Sequence, residues 1–132
     1  MEKVMAFLKE NPVFHFATLE GDEPRVRPLG FSMDFEGKLY LGIGKQKPSY
    51  RQITANPKIE FCSTGQDGRW MRVKGKVVMD DRPEVLDAAF AVMPNLKNMY
   101  NETTGAKLGL FYIADATAEI ADMQGGYEKI SF

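Results

Sequence analysis

Two arginines, two lysines and a serine in the first half of the chain have the residue types and the spacing to do chemistry. Arg25 and Arg27 alternate with apolar residues, so that both side chains would point to one face of a strand. Lys45 and Lys47 come just before a proline and Ser49, a pattern typical of a helix start. Cations are unfavourable there unless an anion lies between them, and a phosphate monoester supplies charge and several acceptors. The segment therefore predicts a site for a phosphate-bearing ligand.

The elements that must position these side chains follow from the surrounding pattern. Residues Arg25 to Met33 and Lys38 to Ile43 are typical of strands, and a turn at Phe35-Glu36-Gly37 would join them as a hairpin. Glycines end the second strand and would let the backbone approach a ligand closely. Pro48 to Ala55 predicts a helix of about two turns, with Asn56-Pro57 as its end signal.

The rest of the chain predicts more strands than helices. In chain order these segments are a helix over 2–10, strands over 13–19, 58–63 and 69–79, a helix beginning after Asp80 and ending near Pro94, a loop or partly helical lid over 95–106, strands over 108–113 and 117–121, and an irregular tail. A small antiparallel barrel with helical covers fits this order best. A parallel sheet fits poorly, because helices do not alternate with strands.

Composition limits the classes of protein to which the chain can belong. A length of 132 residues predicts one domain over 1–132, and a formal charge of -1 excludes a general attraction to nucleic acid or to an anionic membrane. Cys62 is the only cysteine and His15 the only histidine, so neither a disulfide nor a metal site is expected. The first apolar run is too short for a signal peptide or a membrane span, and we expect a cytoplasmic protein.

Six residues that could take part in catalysis or binding also have interpretations without such a role. His15 lies in an apolar segment and is interpreted as a structural histidine, and Cys62 as a small buried apolar residue. Trp70 suits a core, an interface or a ligand contact equally well. From the residues alone, Lys45 and Lys47 also fit a solvated loop, and Arg25 fits an exposed strand position.

An ordered series of segments resembles the pyridoxamine 5'-phosphate oxidase-like family, the FMN-binding split barrels. The series is R-V-R-P-L, then G-K-L-Y-L-G-I-G-K-Q-K, then A-N-P-K-I-E at the end of a helix, then W-M-R-V-K-G-K-V. No single segment is specific, but their order and spacing from Val13 to Val78 are. The resemblance implies a mainly β, six- to seven-stranded antiparallel Greek-key split barrel and a homodimer with FMN at the subunit interface.

The resemblance also implies which residues hold the cofactor. Arg27 matches the arginine that such proteins use for the flavin phosphate or ring edge, and Trp70 lies near positions through which a partner subunit reaches the same flavin. The remaining positions would supply backbone groups beside the ring or phosphate contacts at the helix start. The full set of implied cofactor-binding residues is Arg27, Pro28, Leu29, Gly42, Ile43, Lys45, Lys47, Ser49 and Trp70.

Two departures from the family pattern narrow the expected function. Ile43 and Pro48 offer no side-chain donor near the phosphate loop, so a modest phosphate affinity is expected. The chain also ends soon after Asp122, without a basic C-terminal segment for a substrate phosphate, so pyridoxamine phosphate is not the expected substrate.

The leading hypothesis is a small FMN-dependent oxidoreductase that passes electrons from a reduced nicotinamide or another donor to an unidentified small molecule. Two alternatives stay open at this point. One is a non-catalytic flavin-binding or redox-sensing protein on the same fold. The other is a binding module that holds haem, a deazaflavin or only a protein partner.

Overall fold

The computed structural model describes all residues from 1 to 132 and contains four helices and eight strands. In chain order the elements are α1 (Glu2–Glu10), β1 (Phe14–Glu20), β2 (Glu23–Leu29), β3 (Ser32–Phe35), β4 (Lys38–Gly44), α2 (Pro48–Ala55), β5 (Lys58–Thr64), β6 (Trp70–Met79), α3 (Pro83–Val92), α4 (Leu96–Met99), β7 (Leu108–Ala121) and β8 (Tyr127–Ser131). None of the helices has the length and hydropathy that crossing a bilayer requires.

A single coiled sheet forms the body of the molecule. Its strand order is β2-β1-β5-β6-β7-β4-β3, and β8 pairs with β7 beside this path. Every pairing is antiparallel. The outer strands β2 and β3 do not pair with each other, so the barrel is split at that point. The predicted antiparallel split barrel with helical covers is confirmed, although it has eight strands where six to seven were expected.

The predicted strand from Arg25 to Met33 is two strands. The chain leaves β2 after Leu29 and begins β3 at Ser32. Strand β2 pairs with β1, and only β3 forms the predicted hairpin with β4. Pro28 has no backbone N–H to donate to a neighbouring strand. It is tolerated in β2 because this strand lies at the edge of the sheet and has one neighbour. The predicted turn is confirmed, because Glu36 and Gly37 both have positive φ, 53° and 76°.

The C-terminal third is more regular than the sequence predicts. Residues 108 to 121 form one strand of 14 residues, because the apparent break is a bulge where Asp115 adopts a φ of 53° and both ends stay paired with β6. The tail expected to be irregular contains β8, a hairpin partner of β7. Asp122 closes that hairpin, since its Oδ1 accepts hydrogen bonds from the backbone N–H groups of Gln124 and Gly126.

Strand β4 separates two hydrophobic clusters. Leu39, Leu41 and Ile43 point into the main core inside the barrel, where each is at most 2% exposed. Tyr40 belongs to a second cluster, which lies between the sheet and α3, and Gly42 contacts the side chains of that cluster. Alternation along the strand explains this division. The turn after β4 consequently reaches both sides of the sheet.

Candidate anion-binding site

A cavity of about 440 Å³ opens where β1, β2 and the start of α2 meet. Its lining residues are Glu20, Arg25, Arg27, Pro28, Leu29, Lys47, Pro48, Ser49 and Gln52. Five of the nine residues implied by the family resemblance are in this set. We call this space the Arg27 cavity.

Helix α2 brings a free N-terminus to the Arg27 cavity. Lys47 is its N-cap and Pro48 its first residue, no side chain caps the first turn, and no acidic residue lies in that turn. The first N–H groups of a helix have no partner within the helix, and they carry the positive end of its dipole. Pro48 has no N–H, and the Tyr50 N–H donates to the Lys47 carbonyl oxygen at 3.1 Å, so Ser49 carries the free N–H of this turn. Ser49 is only 6% exposed and adds its hydroxyl beside that N–H. This end of α2 is therefore suited to an anion.

The Arg27 guanidinium is hydrogen-bonded to neutral groups only. Its Nη1 donates to the Phe16 carbonyl oxygen at 3.0 Å and to Thr18 Oγ1 at 2.8 Å, and its Nη2 donates to Gln52 Oε1 at 2.9 Å. Thr18 also donates to Gln52 Oε1, at 2.6 Å. Because a guanidinium has five N–H groups, two of them remain for a ligand.

Arg27 differs from its neighbour Arg25 in having no carboxylate partner. Arg25 is exposed and forms salt bridges with Glu20 at 2.9 Å and Glu23 at 2.7 Å. Arg27 is half-buried, forms no salt bridge, and burial lowers the pKa of its guanidinium. A partly desolvated cation without a counter-ion is costly in the absence of a bound anion.

The charges around the cavity add to a positive field. Glu20 is the one carboxylate among the lining residues, and together with Glu23 it engages Arg25, which leaves Arg27 and Lys47 as two cations without a carboxylate partner. Glu20 is already engaged by Arg25, and its other oxygen accepts from Gln52 Nε2 at 3.3 Å. The dipole of α2 adds roughly half a charge of the same sign. A dianion would balance this arrangement.

The other residues from β4 lie away from the Arg27 cavity. Lys45 lines a second cavity, of about 410 Å³, and its Nζ lies 3.1 Å from Asp81 Oδ1. Gly42 contacts the side chains that form the floor of that second cavity. Ile43 has its side chain in the main core, so only its backbone could face a ligand.

Trp70 does not line the Arg27 cavity. It is the first residue of β6, half-buried, and pairs with Thr64 and Ala121. Trp70 is expected to contact the flavin of a partner subunit. A single chain does not test this contact, which stays a prediction.

His15 and Cys62 lie opposite each other on β1 and β5, outside the Arg27 cavity. Cys62 is half-buried, and burial raises the pKa of its thiol. This favours the protonated form and agrees with the interpretation of Cys62 as unreactive. No group of three or more potential metal ligands exists in the chain.

Sequence reasoning missed the two residues that hold Arg27 in place. Gln52 follows Ser49 by three positions in α2 and so shares its helix face, which is a signal that the spacing contained. Thr18 had no such signal, because its position beside Arg27 depends on the register between β1 and β2. Both are buried, at 7% and 3% exposure.

Comparisons with known proteins place the chain in a family. The family model for pyridoxamine 5'-phosphate oxidase matches residues 1–119. A NimC/NimA family protein from Clostridium acetobutylicum has a similar structure, with 39% identity and a TM-score of 0.92 over 100% of this chain and 92% of that chain. A search of curated proteins found no significant match.

More distant solved structures share the fold. A pyridoxamine 5'-phosphate oxidase-related, FMN-binding protein from Nostoc punctiforme is 14% identical, with a TM-score of 0.62 over 99% of this chain and 95% of that chain. A haem-binding protein from Mycobacterium smegmatis is 13% identical, with a TM-score of 0.74 over 98% of this chain and 57% of that chain. With a family model that spans nearly its whole length and a full-length relative at 39% identity, the chain belongs to the pyridoxamine 5'-phosphate oxidase family.

Proposed function

We propose that this protein binds FMN, with the flavin phosphate in the Arg27 cavity. The observation that carries the proposal is the half-buried Arg27 guanidinium, which is oriented by three neutral acceptors and has no carboxylate partner. Family membership and the FMN-binding protein of the same fold support the choice of a flavin.

The donor set of the cavity fits a phosphate monoester. Two free N–H groups of Arg27, the Lys47 ammonium, and the hydroxyl and backbone N–H of Ser49 surround one space. Charge-assisted hydrogen bonds of this kind are roughly twice as strong as those between neutral groups. The two lining cations without a carboxylate partner, Arg27 and Lys47, match the charge of a phosphate monoester at neutral pH.

The flavin ring would supply the redox chemistry, passing electrons between a donor and a small molecule. The protein's own residues bind and orient the ring. Pro28 and Leu29 lie at the cavity on the edge strand β2 and can present backbone groups beside the ring. We further propose a homodimer, in which Trp70 of a partner subunit approaches the same cofactor. The resulting activity is that of a small flavin-dependent oxidoreductase.

Comparison of FMN with riboflavin tests this proposal, because riboflavin lacks only the phosphate. The wild-type protein should bind FMN at least about tenfold more tightly than riboflavin, measured by quenching of flavin fluorescence. In the double variant Arg27→Ala/Lys47→Ala the two affinities should become equal. Arg51→Ala is the matched control, since Arg51 is an exposed cation of the same helix that does not line the cavity.

Each outcome separates one hypothesis from the others. Equal affinities for FMN and riboflavin in the wild-type protein would refute a phosphate site at Arg27. A purified protein with a haem Soret band and no flavin absorption would favour a haem module on this fold. If FMN binds but reduced nicotinamides and chemical donors give no turnover with any acceptor, a flavin sensor is the better description.

A further inference from the structure

The second cavity lies on the other side of the turn that follows β4. Its floor is formed by β7, one wall by α3, and its cover by residues 100–107. Lys45 faces this cavity, whereas Lys47 faces the Arg27 cavity, so the short Gly44–Lys47 turn separates the two. A volume of about 410 Å³ is within the range of small-molecule sites. We call this space the α3 cavity.

Apolar and aromatic side chains form the interior of the α3 cavity. Leu86 and Phe90 extend from α3 and are half-buried, and Leu108 and Leu110 on β7 are 8% and 3% exposed. Tyr100 lies at the edge of the cover, and burial raises the pKa of its hydroxyl. These surroundings favour a molecule that presents apolar rings rather than charges.

Gly42 lies directly behind the floor of the α3 cavity. A Cβ at this position would lie 3.0 Å from Leu108 Cδ1 and 3.1 Å from Leu110 Cδ2, closer than most Cβ contacts. A side chain on Gly42 would therefore force these two leucines of the floor to shift.

The charged residues at the rim carry no formal net charge, because three cations (Lys45, Arg82, Lys107) are matched by three carboxylates (Asp80, Asp81, Glu102). Lys45 pairs with Asp81 at 3.1 Å, and Arg82 pairs with Asp80 at 2.9 Å. Hydrogen bonds from Arg82 hold the pKa of Asp80 well below its usual range. No half-buried cation is left without a partner here, in contrast to Arg27. The α3 cavity therefore does not require an anionic ligand.

The cover over the α3 cavity is braced by its own hydrogen bonds. The Asn101 backbone N–H donates to Thr104 Oγ1 at 3.3 Å, and the Thr104 backbone N–H donates to Asn101 Oδ1 at 2.9 Å. The Thr104 hydroxyl also donates to the Met99 carbonyl oxygen at 2.8 Å. These bonds order residues 99–104 without a ligand, which reduces the entropic cost of binding.

We propose that the α3 cavity is a second ligand site that binds an uncharged aromatic small molecule. The site does not depend on the flavin proposal, because it shares no lining residue with the Arg27 cavity.

Fluorescence titration with N-phenyl-1-naphthylamine, an uncharged aromatic probe, tests this site in the full-length protein. The probe should bind once per chain, with or without added FMN. Leu86→Asp should weaken binding by about tenfold or more, because it places a carboxylate against the apolar interior. Val92→Asp is the matched control and should change affinity less than about twofold, since Val92 is 58% exposed on the same helix and lies outside the cavity.

A second variant tests the same cavity if Leu86→Asp does not fold. Ala106→Phe fills the cavity from the cover without adding charge, and it should weaken the probe as Leu86→Asp does. The proposal is wrong if Leu86→Asp and Val92→Asp have equal effects, or if raising the protein concentration expels the probe, which would mean that a second copy covers the cavity. Arg27→Met should leave probe binding unchanged, so failure of the flavin site and failure of this site give different results.

Discussion

Replacing Arg27 with methionine should separate ligand binding from folding. Methionine is unbranched and apolar and can occupy similar space without the charge. In the wild-type protein Arg27 donates to Phe16, Thr18 and Gln52, so a purely structural arginine would be expected to stabilise the fold through all three contacts. The question is whether the guanidinium stabilises the protein or is tolerated for a bound anion.

The structure predicts a small loss of folding free energy and a large loss of affinity. Without Arg27, the Thr18 hydroxyl still donates to Gln52 Oε1 at 2.6 Å, so neither side chain is left unpaired. The variant also removes a half-buried charge that has no counter-ion. We expect the free energy of unfolding of the flavin-free protein to fall by about 1 kcal/mol or less. The lost charge-assisted contacts to phosphate should cost about 1.5–3 kcal/mol, or roughly 10- to 150-fold in the dissociation constant for FMN.

Two measurements on the same preparations give these numbers. Urea unfolding of the flavin-free protein, followed by the fluorescence of the single tryptophan, yields the free energy of unfolding. Titration with FMN yields the dissociation constant. Arg27→Lys, which keeps the charge but loses the planar fork, should fall between the wild type and Arg27→Met in affinity. Arg51→Met is the control for the loss of one positive charge, because it removes a cation on α2 outside the Arg27 cavity.

The opposite pattern would refute the reasoning. The free energy of unfolding of the flavin-free Arg27→Met protein could fall by more than about 3 kcal/mol while the folded fraction binds FMN with unchanged affinity. In that case Arg27 has a structural role, in which it holds β2 against α2.

Three further predictions follow from other contacts. Burial and the hydrogen bond to Asp80 raise the pKa of Tyr40 from 10.0 to about 12, so its contribution to stability is complete below pH 10 and is lost as the pH rises towards 12. Burial also raises the pKa of Tyr100, so ultraviolet titration should show two late tyrosines in the wild-type protein and one in Tyr40→Phe. Gly75→Ala should lower the free energy of unfolding in urea by about 3 kcal/mol, because the new Cβ would lie 2.5 Å from Ile113 Cγ2. Gly37→Ala should lower it by about 1 kcal/mol only, because Gly37 has open space around it and the cost comes from its φ of 76°. Raising the ionic strength should weaken FMN more than riboflavin, and equal salt effects on the two would contradict a charged phosphate site.

Local patterns were sufficient for the elements around the site. The helix Pro48–Ala55 has the predicted bounds, because a proline at its first position and Asn56-Pro57 after its end are signals carried by neighbouring residues. The strand from Lys38 and the turn before it were equally predictable, since alternation and a positive-φ glycine depend on a few adjacent positions. The grouping of Lys47 and Ser49 at a helix start therefore came from sequence.

Pairing across the chain was not predictable in the same way. Whether residues 25 to 33 form one strand depends on β2 finding β1 and β3 finding β4, and both alternatives satisfy the same alternation. The tail was predicted to be irregular because it contains Gly125-Gly126, yet these glycines lie in the turn that brings β8 to an edge of β7. Both outcomes depend on hydrogen bonds between segments that local periodicity does not describe.

The sequence by itself determined the succession of strands with few helices, the short helix after the fourth strand and the concentration of cations at its start, because each depends on residues close together in the chain. Only the tertiary structure decided that Arg25 is neutralised by glutamates while Arg27 is not, and that Lys45 and Lys47 face different cavities. The physical reason is that the pairing of strands decides which nearby glutamates reach Arg25, while the partners of Arg27 and Lys45, Gln52 and Asp81, lie 25 and 36 residues away in the chain. These contacts set the free energy of each charge.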